Sequence, residues 1–450
     1  MQSFNALAQE QTVTGRVIDA ETSESIPGAT IIVKGTQNGT ITDLDGNFRL
    51  SLSPTDEQVL IISFVGYETQ EVSVAGKSQV EVSLGLDITS LEEVVVVGYG
   101  TQKKALNTGA NLRVDGDDIQ KLSTTNALQG LQGQTPGVQL SSTSGQPGSG
   151  MRVVIRGAGS LSGTGPLYVV DGVLTGDISY LNPADIASVD ILKDAASAAI
   201  YGSQASNGVV LITTKKGKSG QSRITFDAYY GVQNAARKAD MLNGREYATI
   251  MNEAAVNSGK LPYFNAAEVD SLANNPNTNW MDQMFVENAP TQNYSLGFSG
   301  GTDVSNFSSS ISYTGQEGIV GGAEVSNYER YGFRLNSERA LFNGILTIGE
   351  NMTMAYTKTK GVGVGNQYNN TLRSAFNTSP LVPMYDSLGN YWDNSNASWY
   401  NGEANPYAAM MLNNQSEGNG QKLLGNIYAE LKPIKGLSFK TRFGVDYYAN

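Results

Sequence analysis

A strict alternation of apolar and polar residues in the part of the chain after residue 217 limits the possible folds most. In the segment 223–233 the apolar face holds Ile224, Phe226, Ala228, Tyr230 and Val232. The same alternation returns over 345–357 and 437–448, with aromatic residues near the segment ends. One apolar face and one polar face over about ten residues are typical of strands in a transmembrane β-barrel. A soluble β-sandwich is the alternative.

The number of these strands and the lengths of their connections are also informative. Seven strands are predicted, at residues 223–233, 292–300, 306–315, 328–340, 345–357, 421–431 and 437–448. Their connections are long, short, medium, short, long and short in turn, which places short turns on one side of the membrane and long loops on the other. Because single-chain bacterial barrels have an even number of strands, we expect the barrel to be incomplete within these residues.

Composition favours a β-rich protein and excludes several functions. Only 16% of the residues are charged, while the chain holds 51 Gly and 22 Tyr. The formal net charge of −12 argues against a nucleic-acid partner, because neutralising phosphates needs a basic surface. The sequence contains no His and no Cys, so imidazole and thiolate chemistry is excluded. We therefore predict no enzyme activity, no metal site and no cofactor.

Short alternating runs separated by turn residues fill residues 12–86 and predict a small β-sandwich. Within it, the acidic segment 43–47 is interpreted as a hairpin turn, since its glycine does not stand where a calcium-binding loop needs it. Residues 1–11 contain the small-residue pattern Ala6-Leu7-Ala8 and are interpreted as the remainder of an export signal. An unstructured N-terminus is the alternative.

Four consecutive valines, 94–97, form the most strand-prone segment of the chain. Glu93 precedes them, and Gly98, Tyr99 and Gly100 follow directly. An apolar strand joined to a glycine-rich linker predicts either one more core strand or a strand that adds to the sheet edge of a partner protein.

Helical and strand patterns mix between residues 107 and 217, which predicts a compact α+β domain. Strands are predicted at residues 166–173, 186–192 and 209–214, and a short helix at 195–201. The glycine-rich segment 156–163 matches a dinucleotide-binding pattern too loosely to predict nucleotide binding. Arg152 and Arg156 are predicted to form salt bridges inside this domain, with contact to a substrate as the alternative.

These segments, in this order, resemble the SusC-like family of TonB-dependent outer-membrane transporters. The resemblance rests on VTGRVIDAETSESIPGATIIVKG, LEEVVVVGYGTQKK, IRGAGSLSGTGPLYVVDGV and LNPADIASVDILKDAASAAIYGSQASNGVVLITTKKG. It implies a carboxypeptidase-regulatory-like sandwich at 12–86, a TonB box and linker at 91–104, a plug domain at 105–217 and a partial β-barrel at 218–450. The residues that it assigns to TonB binding are Glu93, Val94, Val95, Val96, Val97, Gly98 and Tyr99.

The resemblance also implies a mechanism and partners. The plug blocks the barrel lumen, TonB pulls on the plug from the periplasm, and a SusD-like surface lipoprotein closes as a lid over an oligosaccharide or oligopeptide. A dimer of transporter–lipoprotein pairs in the outer membrane lipid of a Gram-negative bacterium is expected; a TonB-dependent signal transducer that reports ligand binding is the alternative. The plug motifs, with a structural or gating role, fall on Arg156, Gly157, Asp171, Gly172, Lys193, Asp194, Tyr201, Gly202, Asn207 and Gly208.

The long connection 358–420 is rich in aromatic residues, whose faces stack on sugar rings or on peptide side chains. The candidates for substrate contact are Tyr391, Trp392, Trp399 and Tyr400. Anchoring at the membrane interface and contact with the lid are the alternatives.

Overall fold

A computed structural model divides the chain into two compact units, residues 1–108 and 109–450. The structure describes residues 11–20, 22–36, 38–52, 58–64, 67–85, 94–97, 100–103, 111–122, 124–155, 157, 165–194, 198–274, 277–364, 370–392, 399–400, 404–413 and 417–450. Within these ranges, no helix has both the length and the apolar character needed to cross a bilayer.

The first unit contains a β-sandwich. Its strands are β1 (Gln11–Asp19), β2 (Thr30–Val33), β3 (Gly39–Ile41), β4 (Asn47–Leu52), β5 (Val59–Ser63), β6 (Gln70–Ser73) and β7 (Gln79–Leu84). They form two sheets with the orders β4-β1-β7 and β3-β2-β5-β6. Alternate residues of β4 and β7 are buried, so one face of each strand joins a shared core with Val17, Ile31 and Leu60. The predicted hairpin turn is confirmed, since Asp43 Oδ1 accepts hydrogen bonds from the backbone N–H groups of Asp45 and Asn47.

The valine segment forms a strand that pairs within its own chain. Strand β8 (Val94–Val97) and strand β9 (Gly100–Lys103) make a separate two-stranded antiparallel sheet. Val95 lies opposite Gln102, and Val96 lies opposite Thr101. Glu93, Gly98 and Tyr99 lie outside the described residues. The strand follows the sequence-based expectation, but its pairing with β9 was not predicted.

The second unit begins with the α+β domain. Its strands are β10 (Asn111–Asp115), β11 (Val138–Ser142), β12 (Met151–Ile155), β13 (Leu167–Val170), β14 (Val173–Thr175), β15 (Ile186–Leu192) and β16 (Val209–Thr214). Five strands form one sheet in the order β10-β15-β16-β13-β14, and β11 pairs with β12. Helical segments are Gly116–Gln120, Gln129–Leu131, Pro183–Asp185 and Ala199–Ala205. Buried apolar residues of β15 and β16, including Ile191 and Ile212, form the centre of the core.

The strand predicted at 166–173 is wrong in one respect, because it is broken near its end. Asp171 and Gly172 have φ angles of +47° and +82°, and they form the two-residue turn between β13 and β14. Two successive residues with positive φ define the turn type that suits a tight hairpin, and Asp-Gly is a favoured pair for it.

The remaining strands form one antiparallel wall sheet, with each strand paired to its neighbours in sequence. They are β17 (Ser222–Gln233), β18 (Ala289–Thr302), β19 (Ser305–Glu317), β20 (Asn327–Leu341), β21 (Leu346–Lys360), β22 (Glu417–Ile434) and β23 (Leu437–Ala449). All seven predicted strands are present, most of them a few residues longer than expected. Short turns at 303–304, 342–345 and 435–436 connect one end, and the longer connections lie at the other. In the described residues β17 and β23 remain the two edges of an open sheet.

The two long connections are not irregular loops. They contain the helices Gly244–Asn257, Ala266–Ser271, Trp280–Met284, Thr371–Asn377 and Pro406–Asn413. Trp280 is fully buried, and its Nε1 donates to the backbone oxygen of Ser379 at 3.0 Å, which joins the two connections. Together with Met284 and Met410 it forms a separate hydrophobic core outside the wall sheet.

A row of four tyrosines crosses the apolar outer face of the wall. Tyr294, Tyr313, Tyr331 and Tyr356 lie directly opposite one another on β18 to β21, with ring centroids 6.4, 5.2 and 6.5 Å apart. Their hydroxyls donate toward the long-loop end, two of them to Glu329 at 3.3 and 3.4 Å. Rings in an apolar band with hydroxyls on polar partners are typical of the aromatic girdle at the membrane–water boundary of β-barrels, and we expect this row to lie there.

Ile311 lies in the apolar row next to these tyrosines and is 54% exposed. We expect Ile311→Arg to destabilise the full-length protein by up to about 2–4 kcal/mol, because a charged side chain on the lipid face is costly at depth. Glu317→Arg at the long-loop end of the same strand should cost at most about 1 kcal/mol. Unfolding in lipid vesicles measures both, and equal losses would contradict the assigned membrane boundary.

Candidate functional site

The end of β16 is attached to the wall strand β20 through Thr214. The Thr214 hydroxyl accepts hydrogen bonds from Asn336 Nδ2 at 2.7 Å and Arg334 Nη1 at 3.1 Å. It donates to Asp171 Oδ2 at 2.7 Å, while the Thr214 backbone N–H donates to Asp171 Oδ1 at 3.0 Å. The backbone oxygen of Lys215 accepts from the same Arg334 and Asn336 groups. Asp171, one of the predicted plug-motif residues, therefore connects its turn to the strand that the wall holds.

A buried ion pair lies beside this attachment. Arg334 Nε is 3.3 Å from Asp185 Oδ1, and the two side chains are 3% and 10% exposed. Ser310 donates to Asp185 Oδ1 at 2.5 Å, and Arg334 Nη2 donates to Ser308 at 2.9 Å. Both ions are thus paired and hydrogen-bonded, which is the condition for tolerating buried charge.

Sequence reasoning did not find this pair. The sequence pointed to Arg152 and Arg156, whereas the buried ion pair between the α+β domain and the wall uses Asp185 and Arg334. Arg156 lies outside the described residues. A usable signal was present, because Arg330 and Arg334 occupy the polar face of β20 in the alternating pattern.

Arg330 holds two loops of the α+β domain. It is 1% exposed and donates to the backbone oxygens of Ser179 and, at 3.3 Å, Thr125. Its Nη2 also donates to Thr314 on β19 at 3.0 Å. The two arginines of β20 therefore contact the domain at two levels along one strand.

The last two wall strands contact the Asp171–Gly172 turn and β14. A Cβ atom added to Gly172 would overlap Arg442 Nη1 on β23, and Asn426 Nδ2 on β22 lies 3.4 Å from the backbone oxygen of Asp171. Lys422 forms an ion pair with Asp446, and its Nζ lies 5.4 Å from the centroid of the Tyr180 ring.

Burial raises the pKa of Tyr180 well above its usual value, with smaller contributions from nearby carboxylates. Its phenol therefore stays neutral at physiological pH. The contact with Lys422 is then one between a cation and a neutral aromatic ring, which is favourable.

Gly172→Ala should lower the free energy of unfolding by about 1–3 kcal/mol, because alanine is strained at positive φ and its methyl group would displace Arg442. Gly176→Ala is the matched control, since Gly176 has open space around it and no positive φ. Urea unfolding of the full-length protein compares the two variants. Equal stability would show that the turn does not require glycine.

The other described plug-motif residues lie around the opposite end of β15 and β16. Lys193 Nζ donates to the backbone oxygen of Pro136 at 3.2 Å, and Asn207 Nδ2 lies 3.4 Å from that of Gly165. Positive φ angles occur at Gly157, Gly202 and Gly208. Tyr201 is buried, and the backbone oxygen of Asp194 accepts from Ala198 at 3.1 Å. These are turn, cap and packing contacts within the domain.

The four aromatic candidates for substrate contact lie in or beside the core of the long connections. Trp392 and Trp399 have ring centroids 5.5 and 6.1 Å from that of Tyr400, and all three pack against this core. Tyr391 stacks on Tyr385 at 5.4 Å, and Tyr385 is 47% exposed. The packing of the first three supports a structural role, and contact of any of the four with a substrate stays a prediction.

Comparison with known proteins identifies two domain families and several relatives of this chain. Residues 13–96 match the CarboxypepD_reg-like domain, and residues 104–209 match the TonB-dependent Receptor Plug Domain. The TonB-dependent receptor SusC of Bacteroides thetaiotaomicron is 36% identical over 96% of this chain and 43% of its own length. The TonB-dependent receptor P39 of Formosa agariphila is 37% identical over 99% of this chain and 41% of its own length.

A solved structure shows the same fold. The RagAB peptide importer in its 'open-open' state aligns with a TM-score of 0.67 and 30% identity, over 79% of this chain and 42% of that chain. This chain thus spans about four tenths of the length of the relatives that it matches.

An antiparallel wall of strands that holds a plug domain on its polar face defines a TonB-dependent receptor. Within that class, the chain belongs to the SusC-like TonB-dependent receptors. The predicted family and the mainly β fold with an incomplete barrel are confirmed.

Proposed function

We propose that this protein imports a nutrient across the outer membrane with energy supplied through TonB. The observation that carries the proposal is the buried attachment of the plug to β20 through Asp185, Thr214 and Arg334. A plug that is held firmly on the polar face of the wall blocks passage until it is moved. The relatives support the same function, since they are named as TonB-dependent receptors and as a peptide importer.

The proposed energy-coupling segment is Glu93–Tyr99. Its described part, β8, offers a strand of β-branched residues with backbone donors and acceptors, which suits addition to the edge of a TonB sheet. An isolated two-stranded hairpin is only marginally stable in water. The pairing of β8 with β9 can therefore be exchanged for pairing with TonB.

The proposed organisation follows the ranges that the sequence predicted. A sandwich at 12–86 and a TonB box with its linker at 91–104 face the periplasm, a plug follows at 105–217, and the wall of the barrel begins at 218. The long connections then face the medium, where a SusD-like lipoprotein closes over an oligosaccharide or oligopeptide.

Deleting tonB should abolish growth on the imported nutrient without changing the amount of the full-length protein in the outer membrane. Mass spectrometry of material that co-purifies with the protein and its lipoprotein identifies the substrate class. If cells without TonB still grow on the nutrient while the full-length protein is present in normal amounts, the proposed import mechanism is refuted.

A further inference from the structure

We infer that the substrate passes on one side of the plug, between the helix Gly116–Gln120 and the wall strands β17 to β19. The inference rests on the proposed import function and adds the route and the kind of substrate that it suits. Three features of the described residues carry it: the uneven attachment of the plug, a line of polar cavities, and the small polar residues that line them.

Attachment of the plug to the wall is strongest on β20 to β23. Arg334 and Asn336 hold the end of β16, Arg330 holds two loops, and Val173 of β14 packs on Gly444 of β23. Ala355 and Leu424 of the wall also join the core of the plug. Toward the short turns, this side is filled by packed and hydrogen-bonded groups. A cavity of about 500 Å³, lined by Tyr180, Thr357 and Lys422, lies only in its long-loop half.

On β18 and β19, single side-chain hydrogen bonds join the plug to the wall in the described part of the chain. Asn293 Nδ2 lies 3.3 Å from Asn182 Oδ1, and Ser310 donates to Asp185. Near the long loops, the backbone N–H of Gly148 donates to Gln316 at 2.9 Å. Breaking any one of these hydrogen bonds leaves the bonds of Arg330 and Arg334 to the plug in place, although the two arginines also line the first and third cavities described below.

Polar cavities follow this weakly attached side from one end of the wall to the other. The first, toward the long loops, is lined by Asn126, Gln129, Gln233 and Gln316. The second is lined by Gln120, Thr124, Asp227, Tyr229 and Asn293. The third, of about 500 Å³ near the short turns, is lined by Asp117, Gln120, Arg223, Asp227 and Ser299.

The inward-facing residues of β17 show that the three cavities follow one another along this strand. Gln233 lines the first cavity, Tyr229 the second, Asp227 the second and third, and Arg223 the third. These residues share one face of the strand and descend from its long-loop end to its short-turn end. The cavities therefore form a line along β17, and the second and third share Gln120 and Asp227 in their lining.

The lining of the third cavity indicates what can pass. Its wall residues are mostly small and polar or without a side chain: Thr225, Ser295, Gly297, Ser299, Ser308 and Ser310. Hydroxyl groups donate and accept hydrogen bonds, so they replace water around hydroxyl or amide groups of a substrate. Small side chains leave room for an extended chain. The lining fits a hydrophilic oligomer, and sugars and peptides share this chemistry.

A cross-link across the third cavity tests the route. The 450 residues contain no Cys, so the pair Gln120→Cys and Ser299→Cys introduces the first thiols in this part of the protein. The full-length double variant is treated in cells with a bifunctional thiol reagent that a reductant cleaves. The matched control pair, Val173→Cys and Gly444→Cys, joins plug and wall on the opposite side.

Uptake is measured separately with a mixture of neutral oligosaccharides and with a mixture of oligopeptides. The mixture that wild-type cells import shows whether the substrate is a sugar or a peptide. We expect the Gln120–Ser299 cross-link to reduce uptake to the level of cells without TonB, and cleavage to restore it. The Val173–Gly444 cross-link should leave uptake unchanged, because the inferred route needs movement of the helix Gly116–Gln120 only, while β14 stays against β23.

Full uptake with a complete Gln120–Ser299 cross-link would overturn the route. A block by the control pair, alone or together with a block by the Gln120–Ser299 pair, would overturn it too, since the plug would then have to move as a whole. Import of neither mixture would overturn the inferred substrate chemistry. Uptake by untreated cells that does not depend on TonB would instead refute the proposed function, so the two failures are distinguishable.

Discussion

Val95→Pro is expected to reduce TonB-dependent uptake by about tenfold or more, since a loss of about 1.4 kcal/mol already weakens binding tenfold. Proline removes a backbone N–H from the strand and fixes φ, so one ladder hydrogen bond to a partner strand cannot form. Val95→Ile keeps the backbone groups and the β-branched side chain, and it should behave like the wild type.

The position of Val95 separates an effect on TonB binding from an effect on the folding of the plug and the wall. Val95 lies in the unit formed by residues 1–108, whereas the plug and the wall lie in residues 109–450. The proline variant should therefore reach the outer membrane in normal amounts, which surface labelling measures beside growth on the nutrient. If Val95→Pro imports normally at normal abundance, β8 is an ordinary structural strand and TonB binds elsewhere.

Asp185→Ala is expected to weaken the attachment of the plug by about 3–5 kcal/mol, because it leaves the buried Arg334 guanidinium without its counterion. Arg334→Met alone should also be costly, since it leaves Asp185 unpaired. The double variant should recover part of the loss, because two neutral side chains remove the need to pair a buried charge.

Limited proteolysis of the plug and urea unfolding of the full-length protein measure these effects as a double-mutant cycle. Asp118→Ala is a control for the loss of one carboxylate, since Asp118 makes an exposed ion pair with Lys121 on the same helix. Additive losses in the cycle would show that Asp185 and Arg334 do not stabilise each other.

Local patterns were sufficient to predict the wall and the family. Alternation placed all seven wall strands, because a strand with one apolar and one polar face must repeat every second residue. Ile224 and Phe226 are exposed on the apolar face as expected, and Arg442 and Lys422 contact the plug from the polar face. The order of motifs identified the family before any contact was known.

Contacts between residues that lie far apart in the chain could not be predicted from the sequence. Alternation places Arg330 and Arg334 on the inner face, but it does not say that Arg334 meets Asp185, which lies far earlier in the chain. The Asp171–Gly172 pair is itself typical of a hairpin turn. The apolar residues on both sides of it favoured the prediction of one continuous strand instead. The core around Trp280 joins two connections and depends on tertiary packing that neither segment shows alone.

The position of the tyrosine row has a mechanical consequence. Force applied to the plug toward the periplasm is transmitted to β20 through Arg334 and Asn336, so this strand is drawn along its own axis. Tyr331 and its partner Glu329 both stand on this strand, so an inward slide would carry the two polar groups toward the hydrocarbon together. It would also break the hydrogen bond that Tyr313 of β19 donates to Glu329. If TonB pulls on the plug as proposed, we expect the tyrosine row to oppose the sliding of β20 at the long-loop end of the wall.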